Sequence, residues 1–263
     1  MPNENSHRGD KLAPAEKARR LKLIIAYDGA TFRGWQSQAS SDTIQDRLEN
    51  AFARVAGRKI RVHGAGRTDT GVHALGQCAH ADVSATRLTP VVWMNALNAS
   101  LPPQIRIVAC RFVPMSFHAR FSARGKIYRY RIATTPTFLP LDVDRAWHVI
   151  SPLDDDALRA AAALFIGTHD FAGFAANRGQ APESTTRTIR SVRVRRTAGM
   201  TVIEFDGDGF LYKMVRLMVG AIICCATGKE TIEVVQHRLL RADGSGARLV
   251  APAGGLTLVR VRY

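Results

Sequence analysis

Cysteine is scarce in this 263-residue chain, and its four copies are not spaced as a zinc site or a disulfide framework requires. Cys78, Cys110, Cys224 and Cys225 form no C-x-x-C pair and lie among apolar neighbours. Zinc sites usually draw their ligands from such close pairs, and disulfides belong to oxidising compartments. The sequence therefore predicts reduced, structural thiols and no zinc site.

A long uninterrupted hydrophobic run is also missing. The longest, "MVRLMVGAIICCA" at 214–226, contains Arg216 and is shorter than the about 20 residues that a membrane span needs. The first 20 residues are polar and basic, without the apolar centre of a secretory signal. We therefore expect no membrane association, a cytoplasmic location and a flexible basic tail over residues 1–20.

Acidic residues are the third scarce class. The chain has 22 Asp and Glu against 37 Lys and Arg, which gives a net charge of +15 and a pI near 10.5. An excess of this size attracts a phosphate backbone, so a nucleic acid is the expected partner. The hydrophobic share of 46% and the charged share of 22% are those of a globular protein, which excludes wholesale disorder.

The first half of the chain follows the order strand, helix, strand, strand, helix, strand. Apolar residues at spacings of three and four predict a helix between Asp42 and Gly57, and another helix begins near Pro90. Alternating apolar residues predict the strands around them. This order is typical of a ferredoxin-like or RNP-like α/β sandwich, so the fold class is predicted to be α+β with mixed, mainly antiparallel sheets.

The second half of the chain repeats this succession of strands and helices with longer elements. A helix is predicted from Ser151, as its N-terminal cap, to Gly167, and a hairpin is predicted to turn at Gly199. We therefore expect two ferredoxin-like domains, an N-terminal one over 21–115 and a C-terminal one over 116–263.

The stretch "GAGRTDTGVHA" at 64–74 sets a single acidic residue, Asp69, after a glycine-rich turn. Asp-Thr-Gly is the tripeptide of aspartic proteases, but one copy per chain would require a dimer. The spacing from Gly66 to Gly71 is that of a phosphate-binding loop, yet the Lys and Ser or Thr that should follow are absent. A third interpretation makes Asp69 a turn-capping residue.

Arg216 favours a further role for Asp69. It lies in an apolar stretch with Val215 and Leu217 on either side, where a guanidinium is costly unless a carboxylate pairs with it. Asp69 is one of the few acids in a comparable setting, and a pair between them would hold Asp69 ionised. A purely structural ion pair, or an arginine that extends to the surface, is the alternative.

The strand "KIYRYRI" places Tyr128 and Tyr130 on one face and two arginines on the other. Aromatic rings beside cations suit a flipped base and its phosphates, although tyrosines in strands are often simply part of the core. The preceding segment, "FHARFSARGK", is basic with interleaved phenylalanine, and we expect it to follow RNA. Its candidate RNA contacts are His118, Arg120, Arg124 and Lys126.

Seven motifs in order closely resemble the tRNA pseudouridine synthase TruA family. The resemblance runs from about Leu21 to Tyr263 and leaves only the first 20 residues outside it. The motifs are "YDGATFRGWQSQ" near the start, "AGRTDTGVHA" at 65–74, "FHARFSARGKIYRYRI" at 117–132, "GTHDF" at 167–171, "RTI" at 187–189, "GDGFLYKMVRLMVG" at 207–220 and "APAGGLTL" at 251–258.

The resemblance implies the pseudouridine synthase fold and the isomerisation of uridine to pseudouridine at positions 38 to 40 of the tRNA anticodon arm. It also implies a homodimer that needs neither metal nor cofactor. By the same resemblance, Asp69 is the catalytic carboxylate and Arg216 is its basic partner. Tyr128 stacks on the uracil and is a candidate for handling the C5 proton, while Arg67 helps to displace the target base.

Two other functions stay open at this point. A non-catalytic RNA-binding protein on the same scaffold would explain the charge, but it would not need Asp69 and Arg216 together. A dimeric aspartic protease would explain only the Asp-Thr-Gly tripeptide, and a strongly basic chain is an unusual protease.

Overall fold

The computed structural model describes residues 18–39, 41–84, 88–176, 184–241 and 249–263. Its strands form a ten-stranded mixed sheet in the order β4-β1-β3-β10-β5-β9-β8-β7, with β2 paired to β3 and β6 paired to β5. The strands are β1 (Ala18–Tyr27), β2 (Val62–Gly64), β3 (His73–Ser84), β4 (Ile105–Val113), β5 (Gly125–Ala133), β6 (Trp147–His148), β7 (Gly167–Asp170), β8 (Thr186–Thr197), β9 (Met200–Gly207) and β10 (Leu256–Arg262).

Five α-helices accompany these strands in the described part of the chain. Within each half the helices pack on one another, α1 on α2 and α3 on α4. The helices are α1 (Ile44–Ala56), α2 (Pro90–Ser100), α3 (Asp155–Ala163), α4 (Met214–Ala226) and α5 (Ile232–Arg241).

The first half has the strand order of a ferredoxin-like sandwich. Strand β1 lies between β4 and β3, both antiparallel to it, and the short β2 pairs with the far end of β3. Helix α1 begins at a capping box formed by Thr43 and Asp46 and ends at Gly57 in the left-handed conformation, close to the predicted ends. The predicted α+β fold with a mainly antiparallel sheet is confirmed.

Strand β10, the last of the chain, joins the two halves. It runs parallel to β3 and antiparallel to β5, so that Leu258 lies opposite Ala74 on one side and Tyr128 on the other. Neighbouring strands are about 5 Å apart, which sets the start of β3 about 10 Å from Tyr128. The boundary predicted at residues 115 and 116 stays a prediction, since the sheet continues across both halves.

The predicted N-terminal tail falls almost wholly on residues 1–17, which lie outside the described residues. Strand β1 already begins at Ala18, so the last three residues assigned to the tail are part of the sheet. A second difference concerns α3, which begins after Asp154 and not after Ser151. The Asp154 side chain accepts a hydrogen bond from the amide of Ala157, and the helix ends before Gly167, which starts β7.

Helix α4 is the most apolar helix, and it is enclosed by the protein. All of its residues except Arg216 are buried. Across the described residues, no helix combines the length and the hydrophobicity that a membrane span requires. The four cysteines are free thiols, and burial raises the pKa of Cys110 to about 12 and that of Cys225 to about 11. Free thiols that are buried or half-buried agree with the prediction of reduced, structural cysteines.

Candidate active site

An open cleft of about 800 Å³ crosses the sheet where β3, β10 and β5 meet. We call it the Asp69 cleft. Residues 61–69 form one wall and residues 208–215 form another. The segment before and within β5 adds His118, Arg120, Phe121, Lys126 and Tyr128, and Trp35 and Gln36 close one end.

The Asp69 loop is a tight turn that glycine makes possible. The amide of Val72 donates to the carbonyl of Asp69 at 3.1 Å, and Gly71 has φ of 80°. A side chain at Gly34, which also has positive φ, would approach the carbonyl oxygen of Thr68 to 2.6 Å. The backbone at Gly34 can therefore pack closely against the backbone of the Asp69 loop, and this contact supports the loop.

His73, directly after this loop, ties it to the second half of the chain. Its Nε2 donates to the carbonyl of Asp144 at 2.7 Å, and its Nδ1 lies 3.1 Å from both the amide nitrogen of Gly29 and Oδ1 of Asp28. The residue is buried. The loop that carries Asp69 is thus fixed by contacts to both halves.

Asp69 and Arg216 form the ion pair that the sequence predicts. Arg216 Nη1 donates to Asp69 Oδ2 at 3.2 Å, across 147 positions of the chain. The side chains are 14% and 17% exposed, so this is a largely enclosed pair and Arg216 does not extend to the surface. A guanidinium in this position fixes the orientation of the carboxylate.

Arg216 is itself held in place from behind. Its Nε donates to the carbonyl of Ala251 at 2.7 Å, and the amide of Ala251 donates back to the carbonyl of Arg216 at 3.1 Å. The hydroxyl of Tyr130 anchors the next residue by donating to the carbonyl of Pro252 at 2.7 Å. The segment from Ala251 onwards therefore positions the guanidinium against Asp69.

The two tyrosines of β5 have different surroundings, although they share a face. Tyr130 is fully buried, whereas Tyr128 lines the Asp69 cleft with 8% of its surface exposed. The Tyr128 ring packs edge-on against Phe210 at 5.1 Å. Burial, with smaller contributions from Tyr27 and Asp69, raises the pKa of Tyr128, so its hydroxyl is neutral at physiological pH.

Two cations, Arg67 and Lys126, lie in the Asp69 cleft around Tyr128. Arg67 is exposed at the cleft wall, where its Nε donates to Gln36 Oε1 at 3.1 Å. Lys126 is half-buried, and its ammonium lies beside Gly66. Burial, with the nearby charges of Arg120 and Arg187, lowers the pKa of Lys126 to about 8.

The four residues predicted as RNA contacts do not all reach the cleft. His118, Arg120 and Lys126 line it, whereas the side chain of Arg124 is exposed and is not part of the lining. One nitrogen of the His118 ring is already used within the protein, because Nδ1 accepts hydrogen bonds from the amides of Arg120 and Phe121. Burial, with the neighbouring His63 and Arg20, lowers the pKa of His118.

Several lining residues were not predicted individually as site residues. Trp35, Phe210 and Lys213 lie in the motifs "FRGWQSQ" and "GDGFLYKM", which the resemblance contains without giving them roles. Lys213 has φ of 59° and immediately precedes α4, so the backbone turns sharply into the helix that carries Arg216. An isolated non-glycine residue in this conformation is a signal that only the structure supplies.

The arrangement can hold an ionised carboxylate, a neutral phenol and several cations around one bound nucleotide. A proton-sharing carboxylate pair, as aspartic proteases use, is not what surrounds Asp69, because its partner is a guanidinium. Across the described residues, His, Cys, Asp and Glu do not gather in groups of three or more that could hold a metal ion.

Comparisons with known proteins agree with this chemistry. A family model described as tRNA pseudouridine synthase matches residues 23–122 and 161–263. A relative from Akkermansia muciniphila, named tRNA pseudouridine synthase A, is 48% identical over 252 residues, covering 93% of this chain and 95% of its own. Relatives of the same name from Solidesulfovibrio magneticus and Afipia carboxidovorans are 46% and 42% identical, covering 93% of this chain and 91% and 99% of theirs. The chain belongs to the tRNA pseudouridine synthase family.

Proposed function

We propose that this protein isomerises uridine to pseudouridine at positions 38, 39 and 40 of the tRNA anticodon arm, with Asp69 as the essential catalytic carboxylate. The enzyme acts in the cytoplasm as a homodimer, and it uses neither a metal ion nor an organic cofactor. The observation that carries the proposal is the largely enclosed ion pair of Asp69 with Arg216, in which Asp69 lines the basic cleft together with Tyr128.

The reaction needs a group that acts on the nucleoside without an external reagent. The C1'–N1 bond breaks, the uracil turns, C5 bonds to C1', and the hydrogen of C5 leaves as a proton while N1 gains one. Asp69 attacks the base or the sugar, or removes a ribose proton. Each of these roles requires an ionised carboxylate in a fixed position, and the hydrogen bond from Arg216 holds the Asp69 carboxylate in place.

A uridine inside a stem must leave the base stack before Asp69 can reach it. Unstacking and unpairing cost a few kcal/mol, which a wedge, a stacking ring and cations on the backbone offset. In our proposal Arg67 takes the place of the displaced base, and Tyr128 stacks on the flipped uracil. His118, Arg120 and Lys126 bind the surrounding backbone, and Arg124 contacts RNA outside the cleft.

The proposal is tested by following the hydrogen that the reaction expels. A tRNA transcript labelled with tritium at uridine C5 releases label to water only when C5 forms the new glycosidic bond. Transcripts with a uridine at only one of positions 38, 39 and 40 are expected to release tritium. A transcript without a uridine at any of these three positions is expected to release none. Tight binding without release would favour the alternative, an RNA-binding protein without catalysis.

Replacing Tyr128 with phenylalanine is expected to separate stacking from proton transfer. The ring and its contact with Phe210 remain, so tRNA affinity stays within about twofold, whereas turnover falls by about 100-fold if the hydroxyl handles the C5 proton. Tyr128→Ala should lose affinity as well. Filter binding and single-turnover rates measure the two effects, and full activity in Tyr128→Phe would refute the acid/base role.

Affinity for tRNA is expected to fall as pH rises through about 8. The Lys126 ammonium is charged below its pKa of about 8 and neutral above it, so its attraction for phosphate fades in that range. Tyr128 stays neutral there, because its pKa is raised. We expect affinity to drop about threefold to tenfold between pH 7 and pH 9.

Lys126→Arg is the matched control for this pH dependence. Arginine keeps its charge throughout the range, so the variant should bind with little change from pH 7 to pH 9, and Lys126→Gln should be weak at every pH. Dissociation constants at constant ionic strength provide the measurement. An undiminished pH dependence in Lys126→Arg would assign it to another group.

A further inference from the structure

Phe121 is an aromatic side chain that the fold leaves in solvent. It is 77% exposed at the rim of the Asp69 cleft, and every other Phe, Tyr and Trp of the chain is buried or half-buried. An exposed phenylalanine adds nothing to the core. Its place at the rim of a cleft therefore indicates a contact with whatever fills the cleft.

The Phe121 ring is supported by a neighbouring ring and is otherwise largely exposed. It stacks on His118 with ring centroids 4.4 Å apart and planes 30° apart. His118 is fixed in turn, because its Nδ1 accepts from the amides of Arg120 and Phe121 and its ring contacts His80 at 4.7 Å. The exposed ring is thus pre-oriented, and binding against it costs little side-chain entropy.

The charges around Phe121 select the chemistry of the ligand. The Arg120 guanidinium lies 5.6 Å from the centre of the ring, and the same cleft contains further cations. A flat apolar surface beside cations suits a polymer that carries both flat rings and phosphates. Among the cleft's cations are Arg61, Arg67, Lys126 and Arg187.

We propose that Phe121 is a stacking platform for an unpaired base of the tRNA, outside the pocket where Tyr128 meets the target uridine. Bases inside a stem have both faces covered, so only a base of the loop or of a disrupted pair offers a free face. Tyr128 cannot serve this base, since it is 8% exposed and lies on the cleft floor. The inference rests on the proposed function in one respect, namely that tRNA occupies the cleft.

Removing the platform should weaken binding without slowing chemistry. We expect Phe121→Ala to raise the dissociation constant for tRNA about tenfold, with kcat at saturating tRNA within twofold of the wild type. Phe121→Trp should restore the affinity. Leu240→Ala removes a side chain of similar exposure, 74%, from α5 and should change neither quantity.

Salt dependence separates stacking from a general disturbance of the basic segment. Phe121 contacts no phosphate in our proposal, so Phe121→Ala should keep the wild-type slope of log affinity against log salt, whereas Arg120→Ala should reduce its magnitude by about 1. A reduced slope in Phe121→Ala would mean that the substitution displaces cations, and it would overturn the proposal.

An abasic scan identifies the partner directly. Anticodon-arm RNAs with one abasic nucleotide at each unpaired position are bound to wild-type protein and to Phe121→Ala. One abasic position should cost the wild type about tenfold and cost Phe121→Ala almost nothing, since the two changes remove the same contact. Additive losses at every position would refute the inference. A wild-type protein that releases no tritium would instead refute the proposed function. Failure of the stacking inference and failure of the proposed function therefore give different results.

Discussion

Replacing Asp69 with asparagine is expected to abolish pseudouridine formation and to leave tRNA bound. The substitution keeps the size of the side chain and removes the charge that every version of the mechanism requires. Loss of an essential nucleophile or base lowers kcat by about 10⁴-fold or more, so no product should be detectable in a normal time course. Affinity should stay within a few-fold, because the cations and aromatic rings of the cleft are unchanged.

The control for this prediction is Asp156→Asn, the same chemical change at an exposed position of α3. It should behave as the wild type in both assays. Asp69→Ala should be as inactive as Asp69→Asn, so that the effect follows the charge and not the amide. Measurable turnover in either Asp69 variant would remove the assignment of the catalytic carboxylate.

Replacing Arg216 with methionine is expected to lower both activity and stability. Asp69 is 17% exposed, so loss of its partner leaves a largely enclosed carboxylate without its guanidinium, which costs about 3 kcal/mol of unfolding free energy. A carboxylate that is no longer oriented is misplaced, and misplacement by about 1 Å costs about 100-fold in rate. The fall should appear in kcat, because Arg216 does not line the cleft.

A double-mutant cycle separates the pair from the other contact of Arg216. In an Asp69→Asn background, Arg216→Met should cost less stability than in the wild type, because the ion pair is already absent. The remainder reports the hydrogen bond to Ala251. Arg216→Lys should recover stability only in part, since one ammonium cannot reproduce both contacts. Wild-type kcat in Arg216→Met would contradict the positioning role, and additive stability losses would contradict the coupling.

The sequence predicts the pairing of Asp69 with Arg216 because a single physical cost requires it. A guanidinium in an apolar helix needs a carboxylate, and few acids are available, so the contact follows although 147 positions separate the residues. The catalytic roles of the two residues do not follow from their contact. They come from the family resemblance, and they remain predictions until the variants are measured.

Local signals explain which helix ends could be predicted. Helix α1 ends where the sequence predicts, since Gly57 adopts a conformation that favours glycine. For α3 several capping residues follow one another, and Asp154 takes the role predicted for Ser151 because its side chain reaches an amide three residues on. Such a choice depends on how the preceding chain enters the helix, and that geometry is tertiary.

Long-range pairing explains what the sequence could not provide. Alternation places Tyr128 and Tyr130 on one face, but only the pairing of β10 with both β3 and β5 sets Tyr128 near the Asp69 loop. The exposure of Phe121 is equally invisible in the sequence, where interleaved phenylalanine in a basic segment is compatible with core or surface. Exposure at that position depends on which neighbours the fold supplies.

The central claim is that Asp69 converts uridine at positions 38 to 40 of tRNA, and a pseudouridine map tests it most directly. Unmodified tRNA is incubated with wild-type protein or with Asp69→Asn, and each pseudouridine is located by chemical labelling at nucleotide resolution. We predict pseudouridine at positions 38 to 40 with the wild type and none with the variant. Pseudouridine elsewhere in the tRNA, or an identical map from Asp69→Asn, would contradict the account.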